Sequence, residues 1–159
     1  VKLPALKEIE AAAQVVHRHM PATPQYRWPL LCERAGLEVW LKHENHTPIG
    51  AFKIRGGLVY FHQLADKASP KGVISATRGN HGQSIALCAR NYRIPATIVV
   101  PHGNSAEKNA AMRGFGAKLI EHGRDFQAAK EHAERVAEDE GLHMVPSFDV
   151  RLVAGVATG

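Results

Sequence analysis

The sequence predicts an α/β fold built on a parallel sheet, and three observations carry that prediction. From residue 72 onward, short β-type runs such as GVISA and ATIVV alternate with amphipathic helical stretches. Those runs are apolar along their length, as strands buried on both faces are. The connections between them are short, and the strand starts near Val73, Thr97, Lys118 and His143 recur at regular intervals, which is repeated βα geometry and not a solenoid repeat. Each crossover is expected to be right-handed.

Along the chain, Pro4 precedes ALKEIEAAAQVVHRH, a helix with proline in its first turn. MPATPQ breaks it. WPLLCERAG and LEVWLKHE read as two short strands about a turn at Ala35 and Gly36. PIGAFKIRGG opens a helix at Lys53 that continues through LVYFHQLA to Asp66. GVISA is then a strand, NHGQSIALCARNY a helix, ATIVVP a strand, AEKNAAMRGFG a helix, AKLIEH a strand, DFQAAKEHAERVAEDEG a helix and HMVPSF a last strand. The closing DVRLVAGVATG reads as lacking a stable element of its own. The chain thus reads as one complete βα domain at residues 67–149, preceded and followed by pieces of another at 1–66 and 150–159.

Composition narrows the function classes. The 159 residues are 45% hydrophobic and 22% charged, enough for a real core and too apolar for disorder. The formal charge of +5 raises the question of nucleic acid, but the basic residues are mixed with acids, as in KEIE and KEHAERVAEDE, and form no stripe. No apolar run approaches a membrane span, and the opening VKLPALKEIEAAAQVV lacks the apolar core of a secretory signal. Cys32 and Cys88 fit no zinc or redox spacing and read as buried small hydrophobes in a reducing, cytoplasmic setting.

Two segments carry candidate chemistry. Lys53 stands among small and apolar neighbours at a helix start. Removing water disfavours an ammonium, a helix N-terminus pushes the same way, and a neutral amine is a nucleophile toward aldehydes. The alternative is an ordinary lysine with a solvated tip. SATRGNHGQS, residues 75–84, joins a strand to a helix, where free backbone N–H groups suit a carboxylate or phosphate. The alternative there is a turn with Asn80 as helix cap. The segment is neither a dinucleotide fingerprint nor a P-loop.

Together ENHTPIGAFKIRGG and SATRGNHGQS resemble the cofactor-lysine segment and asparagine loop of fold-type II pyridoxal-phosphate enzymes. The combination F-K-I-R-G with G-N-H-G-Q is similar to serine/threonine dehydratases and serine racemases, and the likeness runs along nearly the whole chain. It implies a tryptophan-synthase-β-like fold, with residues 67–149 as the small domain and residues 1–66 as the front of the large one. It implies pyridoxal 5'-phosphate as cofactor, a small amino-acid substrate and a homodimer, with neither nucleic acid nor membrane as partner. Lys53 would bind the cofactor aldehyde covalently and then act as base at the substrate α-carbon. Phe52 would pack near the cofactor ring, or serve the core. Asn80 would hydrogen-bond the cofactor's 3' oxygen. Thr77, Arg78, Gly79, Asn80 and His81 would surround the substrate carboxylate, largely through backbone N–H groups. Arg55 would anchor the segment through an ion pair.

The implied reaction is loss of a β-hydroxyl and then of ammonia, leaving a 2-oxo acid. Racemases of the family carry serine where this chain has Arg78. A guanidinium is a poor proton shuttle, so elimination is expected to dominate. Arg78 could instead meet a second anionic group on a substrate such as 3-hydroxyaspartate. The family's glycine-rich phosphate loop is expected beyond Gly159, and this stretch alone is expected to bind the cofactor weakly and turn over little. A racemase, or a non-catalytic ligand-binding fragment, are the rival readings.

Weaker signals point elsewhere. His43, Glu44, Asn45 and His46 do not make a zinc motif, and the other histidines share no spacing. Ser75, Ser84 and His81 lack the nucleophile elbow and acid of a hydrolase.

Overall fold

A computed structural model describes residues 3–68 and 70–159; Val1, Lys2 and Ser69, which the expected domain division spans, lie outside the described residues. Helix α1 (Leu6–His19) leads to strand β1 (Gln25–Arg27), helix α2 (Pro29–Ala35), strand β2 (Trp40–Lys42) and a 3-10 turn at Glu44–His46. Helix α3 (Lys53–Lys67) follows, then β3 (Val73–Ala76), α4 (Asn80–Asn91), β4 (Ala96–Val100), α5 (Ala106–Gly114), β5 (Lys118–Glu121), α6 (Phe126–Glu140), β6 (His143–Met144) and α7 (Val150–Val156).

The last four strands form one parallel sheet in the order β5-β4-β3-β6. Strand β3 is buried at every position and β4 at all but Thr97, which is why their sequences run apolar instead of alternating. Helices α4 and α5 cover one face, where Ile85, Ala86, Cys88, Ile98, Val100 and Met112 share a core with α3. Helix α6 covers the other through Ala129 and Ala133 against Ile74, Ala76 and Val99. Its ends follow local rules: Asp125 accepts a hydrogen bond from the Ala128 N–H at 2.9 Å, and Gly141 closes it in the left-handed conformation.

The strand order matters for function. The chain leaves β3 toward β4 and returns from β5 to β6 on the other side of β3. The loops after β3 and β6 therefore diverge at a topological switch point, where open α/β sheets form a ligand crevice.

Two expectations are corrected. WPLLCERAG is not a strand: Pro29 at the first helical position and Gly36 at φ 67° bracket a helix, and the ribbon partner of β2 is Gln25–Arg27 instead. DVRLVAGVATG is not structureless. Asp149 accepts from the Arg151 N–H at 2.8 Å and starts α7, which packs along α3. Cys32 and Cys88 are buried free thiols, as expected, and burial pushes the Cys88 thiol up to about 12. Among the described residues, no helix is long and apolar enough to cross a membrane.

Candidate active site

Lys53 is the first residue of α3, and what fixes it is Arg55 two positions on. The Arg55 side chain is 1% exposed. It donates from Nε to Glu44 Oε2 at 2.7 Å and from Nη2 to Glu44 Oε1 at 2.9 Å, a two-point pair. Nη2 also reaches Thr23 Oγ1 at 3.2 Å, and Nη1 the carbonyl and hydroxyl oxygens of Thr158 at 3.3 Å. The ion pair expected of Arg55 is therefore present, and its hydrogen bond holds the Glu44 carboxyl below the usual carboxylate range. One side chain thus ties the 3-10 turn, the start of α3 and the residues after α7.

Glycines close the same seam. A Cβ on Gly56 would lie 2.7 Å from the Leu152 carbonyl oxygen, and one on Gly155 would overlap the Arg55 carbonyl. Only hydrogen at both positions lets α3 and α7 meet backbone to backbone. Ser84 Oγ donates to the Lys53 carbonyl at 2.8 Å and binds the start of α3 to α4. Ser75 Oγ donates to the Val145 carbonyl at 2.8 Å. Both hydroxyls are thus committed to backbone, so neither is free as a hydrolase nucleophile.

Lys53 is half-buried, and its amine stands 5.2 Å from the Phe52 ring centroid. It opens on a cavity of about 140 Å³ lined by Phe52, Lys53, His81, Phe148, Asp149 and Leu152, among others. A larger cavity of about 450 Å³ lies between α1, α3 and α7 and contains none of the sequence-predicted site residues. Phe52 is 43% exposed, which removes the core alternative for its side chain.

The asparagine loop meets the same cavity through His81; Thr77, Arg78, Gly79 and Asn80 do not line it. Asn80 is not a cap; Gly79 holds that position and Asn80 begins α4 with its side chain exposed. Thr77 is buried, its N–H donating to the Val99 carbonyl at 3.0 Å, and its hydroxyl accepts from the Gly79 N–H at 3.3 Å. The first N–H is therefore taken by β4 and the second within the loop, so neither is free to join the backbone cradle expected there. The N–H groups of Asn80 and His81 open the helix and have no helical carbonyl to take them. Arg78 is exposed. His81 reaches into the cavity with a buried Nε2 that has no partner. Burial, then the nearby Lys53 ammonium, pull its ring down to about 4, while a hydrogen bond to the Pro146 carbonyl works the other way. The ring is neutral near pH 7.

Three contributors escaped the sequence reading. Lys108, on α5, crosses the loop: a Cβ on Gly79 would lie 3.0 Å from its Cδ and 3.2 Å from its Nζ. No acid is paired with Arg78 or Lys108 among the described residues. The 147–149 loop and α7 wall the cavity opposite Lys53. The capping pattern of Asp149 was the one local signal; the rest follows from strand order. Among the described residues, no group of three His, Cys, Asp or Glu side chains is placed to hold a metal ion.

The sequence model of the family described as pyridoxal-phosphate dependent enzyme matches residues 16–159. The chain belongs to that family. It is 33% identical over 157 residues to the L-threo-3-hydroxyaspartate ammonia-lyase of Saccharomyces cerevisiae, covering 98% of this chain and 48% of that protein. It is 37% identical over 154 residues to the L-threonine ammonia-lyase of Thermotoga maritima, covering 96% of this chain and 38% of that one. A crystal structure of a pyridoxal 5'-phosphate-dependent aspartate racemase superposes with a TM-score of 0.89 at 27% identity, over 98% of this chain and 49% of the other. The fold is thus that of the N-terminal half of such enzymes, and the chain spans about half the length, or less, of these relatives.

The residues present fit the aldehyde end of pyridoxal phosphate. A half-buried lysine without an ion pair among the described residues lines a cavity that also holds an aromatic ring and an unpartnered buried nitrogen.

Proposed function

We propose that this chain is the lysine-bearing portion of an enzyme that eliminates water and then ammonia from a β-hydroxy amino acid, leaving a 2-oxo acid. The observation that carries the reading is the shared cavity of Lys53 and His81, with Asn80 next to His81 at the start of α4. When bound there, pyridoxal phosphate would supply an electron sink for charge developing at the substrate α-carbon. Lys53 Nζ holds the cofactor at rest and takes the α-proton during turnover. Asn80 orients the cofactor from the loop, with Phe52 beside the ring. The free N–H groups of Asn80 and His81 receive the substrate carboxylate, with Thr77 shaping the turn and Gly79 leaving room for Lys108. Arg78 is a guanidinium, a poor proton shuttle, so it favours elimination over proton exchange on the opposite face. The phosphate is held by residues beyond this stretch, and the working form is a homodimer.

A full-length polypeptide carrying this chain, given pyridoxal phosphate and L-threonine or L-serine, is expected to release the 2-oxo acid and ammonia. Lys53→Ala is expected to release neither. Return of only the opposite enantiomer by the wild type would overturn the reading in favour of racemisation.

A specific observation favours a second substrate. Arg78 on the loop and Lys108 reaching over its neighbour Gly79 from α5 are two cations, which suits a second carboxylate, as in 3-hydroxyaspartate. One relative is a hydroxyaspartate ammonia-lyase. Comparing oxo-acid release from threonine and from the 3-hydroxyaspartates separates the two.

A further inference from the structure

Two cavities meet at one side chain. The lysine cavity, about 140 Å³, lies between α3, α7 and the start of α4. A second, of about 420 Å³, lies between α6 and the ends of β3 and β6. Ser147 and Phe148 line both, and among the described residues no other does. Ser147 brings only a hydroxymethyl group, so the bulk of the partition is the Phe148 ring. The chain on either side of it is pinned. Val145 donates to the Ile74 carbonyl and accepts from Ser75 Oγ, each at 2.8 Å. Asp149 caps α7 and holds the Arg151 guanidinium at 2.7 and 2.8 Å. The ring between these anchors is 60% exposed, so the fold does not use it as core. The groove behind it is apolar at Ala76, Phe126, Met144 and Pro146, with the Lys130–Glu134 ion pair beside them at 3.5 Å. Such a lining suits an apolar or aromatic group.

On the elimination reading, three of the four bonds of the substrate α-carbon have a direction. The hydrogen faces Lys53, the carboxylate faces the N–H groups of Asn80 and His81, and the amino nitrogen joins the cofactor. The side chain is left with the wall made by residues 147–149 and α7. Phe148 is the bulky residue of that wall with open space behind it. We propose that Phe148 sets the size of the substrate side chain, by closing the lysine cavity against an apolar groove that would otherwise take an aromatic one. The inference rests on the proposed roles of Lys53 and of the loop N–H groups. With the ring in place, the short side chain of serine or threonine fits and a phenyl group is turned away. Without it, the two spaces join.

Two measurements test this. In the first, the full-length protein, freed of cofactor, is titrated with the reduced adducts of pyridoxal phosphate with L-alanine and with L-phenylalanine. Their secondary amines are stable and cannot react with Lys53. The wild type is expected to bind the alanine adduct more tightly. Phe148→Ala is expected to shift the ratio of the two dissociation constants about tenfold toward the phenylalanine adduct, as befits an apolar group admitted to an apolar pocket. Phe148→Trp, which keeps the partition, is expected to keep the preference for the alanine adduct. Because the ring is exposed, its removal should not disturb the fold. A wild type that binds both adducts equally, or neither, overturns the proposal, and so does a ratio that Phe148→Ala fails to move or a variant that binds neither adduct. The second measurement is 2-oxo acid release from β-phenylserine and from threonine. The ratio of their kcat/KM values is expected to rise about tenfold in Phe148→Ala, and an unchanged ratio also overturns the proposal. A wild type that forms no 2-oxo acid sinks the elimination reading instead, and leaves the adduct titration to decide Phe148.

Discussion

The two arms of the candidate site are built differently. The lysine arm, where α3 meets α7, is over-determined: Arg55 is buried among Glu44, Thr23 and Thr158, and Gly56 and Gly155 bring two backbones into contact. The loop arm, residues 77–81, is fixed at its base by Thr77, while Arg78 and Asn80 stay exposed and His81 keeps a free nitrogen. The contrast separates support from recognition. Groups that place the reactive amine satisfy one another, whereas groups meant for a ligand remain unsatisfied until one arrives.

Substitutions should expose that contrast as a gradient. Arg55→Ala leaves the Glu44 carboxylate half-buried without its partner and should cost about 3–5 kcal/mol in chemical denaturation. Arg78→Ala should stay within about 0.5 kcal/mol, like other surface changes. Equal losses would erase the distinction.

Acid should act next, through His81. Its folded pKa lies below the unfolded value, so the unfolded chain binds the extra proton. The stability present above about pH 6.5 therefore falls as pH drops toward about 4, by on the order of 3 kcal/mol. Glu44, also depressed, contributes stability present above its unfolded value of 4.5 and lost as pH falls through its folded one. Denaturation midpoints between pH 7 and 4 check His81 and those below pH 4.5 check Glu44, and His81→Gln should flatten the upper part of the profile.

Gly155→Ala should cost about 1–3 kcal/mol by forcing α7 off α3, with loss of the cavity wall opposite Lys53. The smallest effect belongs to the rim. Lys108→Gln should leave stability unchanged and lower kcat/KM for a 3-hydroxyaspartate about tenfold relative to threonine, the worth of one charged hydrogen bond.

The same contrast explains what could be read from the chain alone. The sheet and its helices from β3 to β6 were legible because buried strands and amphipathic helices impose their periods locally. Lys53 at a helix start was legible for the same reason, whereas the Arg55 ion pair was implied by the family resemblance. Helix α2 was misread although Pro29 and Gly36 marked its ends, because LLC resembles a short apolar strand. Helix α7 was missed because its stability is tertiary: VRLVAGV is a poor helix former that becomes helical against Gly56. Lys108 and the Pro146 contact to His81 depend on β4 and β6 both flanking β3, which no local pattern announces.

The most direct test of the central claim is where pyridoxal phosphate attaches. The protein is incubated with the cofactor, reduced with borohydride and mapped by peptide mass. The account predicts that Lys53 carries the label well before any other lysine, and that Lys53→Ala removes it. A label spread evenly over surface lysines, with Lys53 no more reactive than Lys7 or Lys118, would contradict it.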